Sequence, residues 1–454
     1  MAASFDSAQH SDKGFALERL ARDAVQIELS DIPATAVEHA KLVIADTLAV
    51  ILAGARSDEF VRLTTDSGDG LPLPPGRSQL ATPGLRQTDP ATAALVNASA
   101  GTVVEMDEFL SGGGAGGHAA IHVLPAALAV AQELGRSGSD LLAAVISGYE
   151  VAGRLFRSYV FDPLVQPHGH LGAVGAAVAV ARLLGKDPAE PALVASAMPL
   201  LTLWEPSFEG ATVHHTYAGM GSAVGILANK LAACGFTGSR RALDIAFGQV
   251  AGQRAIGAKL DAEVDPEHLL VIDDFVKLWP CCGRAYPAIA ALQSMPEIDL
   301  SSIDSIDVQI DPLGMKLARQ PENNALSTKF SIEYAVATYL THAGFDDPNA
   351  FVPNSETFEL SRRITVRGSD EFEANSAIGN RGARVTITDR NGAHTSVSSG
   401  SQGLASDPLP REALRQKFIS LVAPDHSQTA ETLYERLLKL DSLQSVHTLL
   451  TAGD

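Results

Sequence analysis

Gln166-Pro167-His168-Gly169-His170-Leu171-Gly172-Ala173-Val174-Gly175-Ala176-Ala177-Val178-Ala179 joins two kinds of sequence in one stretch. The second half is small, apolar and free of charge. It reads as a helix whose Gly and Ala positions let neighbouring helix backbones approach closely. The first half puts two histidines just before that helix starts. The same arrangement recurs at Gly116-Gly117-His118-Ala119-Ala120-Ile121-His122 and at Thr212-Val213-His214-His215-Thr216-Tyr217-Ala218-Gly219. Three His-bearing loops, each leading into a small-residue helix, predict one shared pocket at helix N-termini, where backbone amides favour anions.

Working outward, helical spacing recurs over 36–53, 91–104, 124–134, 139–156, 174–184, 218–233 and 239–251, with Gly or Pro between segments. After about Leu270 the period becomes two. Ile306, Val308 and Ile310 alternate with Asp307 and Gln309, Ile364 and Val366 flank Thr365, and Val385 and Ile387 alternate with threonines. Asn391-Gly392 then marks a hairpin, because both residues tolerate positive φ. A helix is expected at 331–342, and 411–449 returns to helical spacing. The fold expected is mostly α: a large all-helical domain, 1–275 plus 405–454, with a smaller α+β lid domain at 276–404.

The net charge of −19, with no Lys/Arg run, excludes a general nucleic-acid-binding face and polybasic adsorption to a membrane. Three cysteines, two of them adjacent at Cys281 and Cys282, cannot supply a disulfide framework or a paired CxxC zinc site. The first residues lack a basic segment followed by an apolar core, so the chain reads as a soluble cytoplasmic protein.

Chemistry concentrates in five places. Glu105-Met106-Asp107-Glu108 precedes Ser111 and the glycine run 112–117, whose amides could hold a carboxylate beside His118. His118 and His122 have i,i+4 metal spacing, but Ala119 stands where a zinc hydrolase carries its glutamate, so the metal reading is weak. His168 and His170 could serve as acid, base or helix cap. His214 belongs to the third loop. Lys277-Leu278-Trp279-Pro280-Cys281-Cys282-Gly283-Arg284-Ala285-Tyr286 falls where helices give way to strands, and its cations and phenol suit carboxylate binding. Buried thiols are usually apolar fillers. Tyr334, in Phe330-Ser331-Ile332-Glu333-Tyr334, is by default a packing residue.

In this order and spacing the five segments resemble the MmgE/PrpD family, which includes 2-methylcitrate dehydratases, cis-aconitate decarboxylases and iminodisuccinate epimerases. The resemblance extends to Asp46-Thr47-Leu48, Asn97, Gly148-Tyr149-Glu150-Val151 and residues 232–238. It implies a helical domain with an α+β lid, a homodimer, and an active site between the domains that uses no metal or organic cofactor. It also implies pocket roles for Asp107, Glu105, His118 and Tyr334. The chain departs from the family pattern elsewhere. Ala119 replaces a proline, and Gln166 falls at the second histidine, so His168 or His170 substitutes for it. His214 stands for a lysine, Trp279 for a tyrosine and Tyr286 for a histidine.

The expectation is a cofactor-independent lyase acting on a small hydroxy-carboxylic acid, abstracting a proton α to a carboxylate with loss of water. His118, His168 or His170 is the base, and a partner histidine or Tyr334 the acid. Asp107 orients, while Glu105, His214, Lys277, Arg284 and Tyr286 bind substrate. Decarboxylation and epimerisation use the same chemistry. A metal-dependent hydrolase built on His118, His122, His168, His170 and Asp107, and a noncatalytic binding protein, are the alternatives from other classes.

Overall fold

A computed structural model describes residues 7–65, 69–110, 116–255, 260–342, 347–372, 381–422, 427–447 and 449–450. Among the described residues, the longer helices before the second part are Ser7–Gln26 (α1), Ala34–Gly54 (α2), Pro90–Ala100 (α3), Ala119–Leu134 (α4), Gly138–Phe156 (α5), Leu171–Leu184 (α6) and Thr216–Ala233 (α7). The small-residue helix α6 is the centre, packed on α4, α5 and α7. Its composition explains the closeness. A Cβ added to Gly175 would lie 2.4 Å from the carbonyl oxygen of Gly148 on α5, so that crossing tolerates no side chain.

Boundaries follow local chemistry. Asp89 caps α3 by accepting from the Ala91 and Thr92 amides, with Pro90 in the first turn. Ser137 and Asp140 form a capping box on α5. The α4 helix begins earlier than expected, at Ala119, and carries Pro125 inside it. The segment expected as one helix at 239–251 is instead a short turn, Ala242–Ile245, followed by a single π turn, Ala246–Val250. Gly248 and the β-branched Val250 weaken helical continuity there.

Phe109–Leu110 (β1) pairs antiparallel with Asp274–Phe275 (β2), and along β2 the chain enters the second part. Tyr286–Gln293 (α8) and Ile332–Thr341 (α9) pack on a four-stranded sheet of Ile303–Ile310 (β3), Ile364–Gly368 (β4), Ala383–Asp389 (β5) and Gly392–Ser398 (β6). The order is β6-β5-β3-β4, with β3 and β4 parallel and the other pairs antiparallel. Ile306, Val308 and Ile310 are buried beside Val385 and Ile387, as alternation requires. The hairpin turn lies one residue earlier than Asn-Gly predicts: Asp389 pairs with Gly392, so Arg390 and Asn391 form the loop and Gly392, at φ 128°, opens the strand.

Two apolar cores result. One joins the helices to the C-terminal residues, where Arg411–Val422 (α10) packs back on α2. The other fills the α+β part and takes in Trp204 and Phe208 from the preceding segment. The expected helix over 411–449 is two helices, α10 and Ser427–Leu438. No helix among the described residues is long and apolar enough to cross a membrane.

Candidate active site

His118 is the residue before α4, and its ring stacks on His168 with centroids 4.3 Å apart. His168 in turn meets the edge of His214 at 6.0 Å. The three loops therefore converge. Gly169 makes this possible in the second loop: at φ 84° it turns the chain sharply and aims its amide at His122 Nε2, 2.9 Å away.

Asp107 organises the cluster. One carboxylate oxygen lies 2.6 Å from His118 Nδ1 and 3.9 Å from His168 Nε2. The other accepts from the Lys277 ammonium at 3.2 Å. The His118 contact is short but off the direction of a ring N–H bond, so it is a close polar contact and not an aligned hydrogen bond. Lys277 also lies 3.6 Å from Glu105, which meets His214 Nε2 at 3.2 Å. Burial opposes ionisation of Asp107, yet His118 and Lys277 outweigh it and hold the carboxyl well below the usual range. Glu105 is lowered in the same way, against burial, by Lys277 and His214. Burial disfavours the Lys277 charge, and the two carboxylates more than reverse that, raising its pKa.

The turn carrying these acids is strained. Glu105 has φ 57°, the left-handed region that a non-glycine residue rarely enters. The next carbonyl, of Met106, is held by Lys417 Nζ from α10 at 2.9 Å, and Lys417 is ion-paired with buried Asp46 at 2.6 Å. Glu108 points away from the cluster and accepts the Ala120 amide at the start of α4. Burial pushes its carboxyl well up, towards the neutral form.

In front of the cluster is a cavity of about 260 Å³ lined by both parts of the chain. The helical part gives Glu105, His118, His168 and Gln166, and the α+β part gives Arg284, Lys316, Phe330 and Arg381. Lys277 lines it from the junction. Arg284 pairs with Asp311 at 3.4 Å. Lys316 lies over the Trp204 ring, 4.5 Å from its centroid, and Arg381 over Phe109 at 5.1 Å. Neither Lys316 nor Arg381 has an ion pair among the described residues, and Arg381 Nε is buried without a hydrogen-bond partner. Burial, reinforced by Arg284, pulls Lys316 down to about 7.

Both domain models of one family match this chain: the MmgE/PrpD N-terminal domain over residues 18–253 and the MmgE/PrpD C-terminal domain over 279–440. The chain belongs to the MmgE/PrpD family. Among its relatives, a cis-aconitate decarboxylase of Aspergillus terreus is 25% identical over 485 residues, covering 98% of this chain and 97% of that protein. A cis-aconitate decarboxylase-like protein of Aspergillus oryzae is 24% identical over 469 residues, covering 94% of each.

Several expected site residues of this MmgE/PrpD chain sit elsewhere. His170 turns away from the cavity, its Nε2 2.5 Å from Thr202 Oγ1 and its ring against Phe161 and Phe247. Burial takes it down to about 3, so it is neutral. Tyr286 is buried, donating to the Trp279 carbonyl at 2.5 Å and accepting from the Trp279 amide at 2.9 Å. Its phenol shapes the junction rather than the cavity. Tyr334 is inside the α+β core against Phe351 and Phe358, its hydroxyl accepting from the Asn354 amide at 3.2 Å. Here it packs with one satisfied polar tip and does not line the cavity, where the resemblance implies a pocket role. Tyr334→Phe should change kcat by less than about threefold and cost about 1 kcal/mol, read by steady-state assay and urea unfolding. A hundredfold loss would restore its catalytic role.

His214 touches Glu105 without lining the cavity. Residues 111–115, most of the expected amide cradle, lie outside the described residues. Lys316 and Arg381 were missed, because neither belongs to a spaced motif.

The five-residue metal reading contracts. His122 has both nitrogens engaged, Nδ1 against the His118 carbonyl at 2.6 Å and Nε2 by the Gly169 amide, and burial takes it down to about 4. Asp107, His118 and His168 remain close enough together to hold an ion. Lys277 already supplies a cation to Asp107, which leaves this trio a poor match for a divalent metal.

Proposed function

We propose that this chain is a cofactor-independent lyase that handles a small polycarboxylate in the cavity between its two parts, with His118 transferring the proton. The observation that carries the reading is the pairing of a carboxylate-held imidazole with four cationic side chains around one cavity. With Nδ1 on Asp107, Nε2 is the His118 nitrogen left to exchange a proton with a bound molecule. Lys277 is already balanced by two acids. Arg284, Lys316 and Arg381 are the groups to which substrate carboxylates would bind.

Decarboxylation of an unsaturated tricarboxylate such as cis-aconitate, the substrate in the relatives' names, is the first reading. The C–C bond to one carboxylate breaks, its electron pair shifts through the adjacent C=C, and imidazolium His118 protonates the far carbon as CO₂ leaves. One proton donor suffices. Loss of water from a hydroxy acid needs a second group to protonate the departing hydroxyl. His168 is nearest, but burial and the His118 charge take its pKa well down, so it is a poor acid. Stacking against His118 nevertheless supports dehydration as the second reading. A homodimer is carried into the proposal from family membership, and a cytoplasmic setting from the cysteine usage and N-terminal residues of the sequence.

Incubation with cis-aconitate and with hydroxytricarboxylates in D₂O separates these readings. Decarboxylation gives CO₂ and one solvent-derived deuterium on carbon, whereas dehydration gives a new alkene and no CO₂. Turnover of neither class would overturn the proposal.

Lys316→Met and Arg381→Met should each raise KM by about 10- to 100-fold with kcat within about threefold, since a charge-assisted hydrogen bond to bound substrate contributes about 1.5–3 kcal/mol. Lys316 faces Arg284, Arg381, Asp311 and Cys282, and is lowered to about 7. It is therefore charged below that pH, and kcat/KM should fall as pH rises through about 7. Loss of that fall in Lys316→Met would assign it.

A further inference from the structure

Three buried lysines from separate parts of the chain close on residues 103–107. Lys329, from the α+β part, donates to the Val103 carbonyl at 2.9 Å. Lys277, from the junction, lies between the Glu105 and Asp107 carboxylates. Lys417, from α10, donates to the Met106 carbonyl at 2.9 Å. Lys277 thus grips the two acids by their side chains, whereas Lys417 grips the main chain between them.

Lys417 does not line the cavity. Its side chain is 2% exposed and meets Asp46 of α2 at 2.6 Å. Stability alone does not account for this pair. Taking two charges out of water is costly, and an apolar pair of similar volume commonly serves stability as well. Burial lowers the Lys417 pKa, against the pull of Asp46. What an apolar side chain could not supply is a donor for the Met106 carbonyl.

That carbonyl matters because of its neighbours. Glu105, at φ 57°, occupies a conformation that persists only where the surroundings over-determine it. The same turn sets the direction of Asp107, which lies 2.6 Å from His118 Nδ1. With the carbonyl released, the main chain can leave the left-handed region and carry Asp107 off the imidazole.

We infer that Lys417 is a positioning residue for the reaction: by holding the Met106 carbonyl it keeps the Glu105 turn left-handed and Asp107 on His118. Helix α10 thereby completes the site without touching substrate. This role presupposes His118 as the proton-transferring group proposed above.

The test compares Lys417→Met with Asp46→Leu/Lys417→Met in the full chain. Lys417→Met leaves Asp46 buried without this partner, so both the melting temperature and kcat should fall. The double variant removes the stranded charge. Its melting temperature should return close to the parent's, while kcat stays about 10- to 100-fold down, the cost of a displacement of about 1 Å at the reacting groups. KM should stay within about threefold, because Arg284, Lys316 and Arg381 are untouched. A crystal structure of the double variant should show Glu105 out of the left-handed region. Asp46→Asn/Lys417→Met, which keeps the shape of the acid, should behave alike and serves where the leucine pair does not fold. Recovery of kcat to within about threefold of the parent in a folded pair would reduce Lys417 to a packing role. So would a Glu105 φ still near 57° with Asp107 on His118, or failure of both pairs to fold. A parent that turns over neither cis-aconitate nor a hydroxytricarboxylate overturns the proposed reaction instead, and the Glu105 φ of the double variant then decides the positioning by itself.

Discussion

Replacing His118 by Ala lowers kcat by about 10²- to 10⁴-fold while the protein still folds, because a positioned general acid or base contributes that much to a proton-transfer step. Each tenfold is about 1.4 kcal/mol of barrier. The prediction is large because the groups around His118 leave no ready substitute. His122 is held at both nitrogens, His170 faces Thr202, and the burial that lowers His168 keeps it neutral. The fold survives because His118 makes no side-chain cap bond to α4, and Asp107 keeps Lys277 as a counter-ion. Circular dichroism establishes folding, and product release under saturating substrate gives kcat. A folded His118→Ala variant with kcat within threefold of the parent would remove this imidazole from the reaction, and with it the proposed mechanism.

How much of this was legible beforehand divides along physical lines. Gly175 and its small neighbours predicted a tightly packed helix, since close backbone approach depends on side-chain size, which a sequence states directly. Alternation at Ile306, Val308 and Ile310 predicted β3 for the same reason: burial on one face is written locally. Convergence of the first two histidine loops was also readable, because each loop announced itself by preceding a small-residue helix. Ring direction was not. His168 and His170 differ by two residues, and only the φ 84° turn at Gly169 and the hydrogen bond to Thr202 decide which one faces the cavity. Tyr334 and Tyr286 look alike on paper. Both turned out to spend their hydroxyls on nearby backbone, a satisfaction that depends on tertiary neighbours. Lys316 and Arg381 escaped notice because a cation on a loop is ordinarily solvated. Only the packing of Trp204 and Phe109 against them turns them inward.

Lys277→Met destabilises the fold by about 3–5 kcal/mol at neutral pH, the cost of removing one partner from a buried ionic network. Lys277 is fully buried between Asp107 at 3.2 Å and Glu105 at 3.6 Å, so its loss leaves two acids facing each other out of water. The pH dependence has a definite sign. In the parent both carboxyls are held below their ordinary values, so they add stability above pH 4 or so, the unfolded value, which is lost as pH falls through the folded values. Without the ammonium, burial and mutual repulsion push at least one of them up, and its protonation relieves the repulsion. The gap between parent and variant is therefore widest near pH 7 and narrows towards pH 4. Urea unfolding at the two pH values measures it. Adding Glu105→Gln to Lys277→Met removes one of the opposed charges and should recover a substantial part of the loss, a coupling that independent sites would not give. A loss below about 1 kcal/mol, or one that does not change with pH, would mean that the ammonium is not the counter-charge of this pair. The strained turn at Glu105 would then be held chiefly by Lys417 on the Met106 carbonyl.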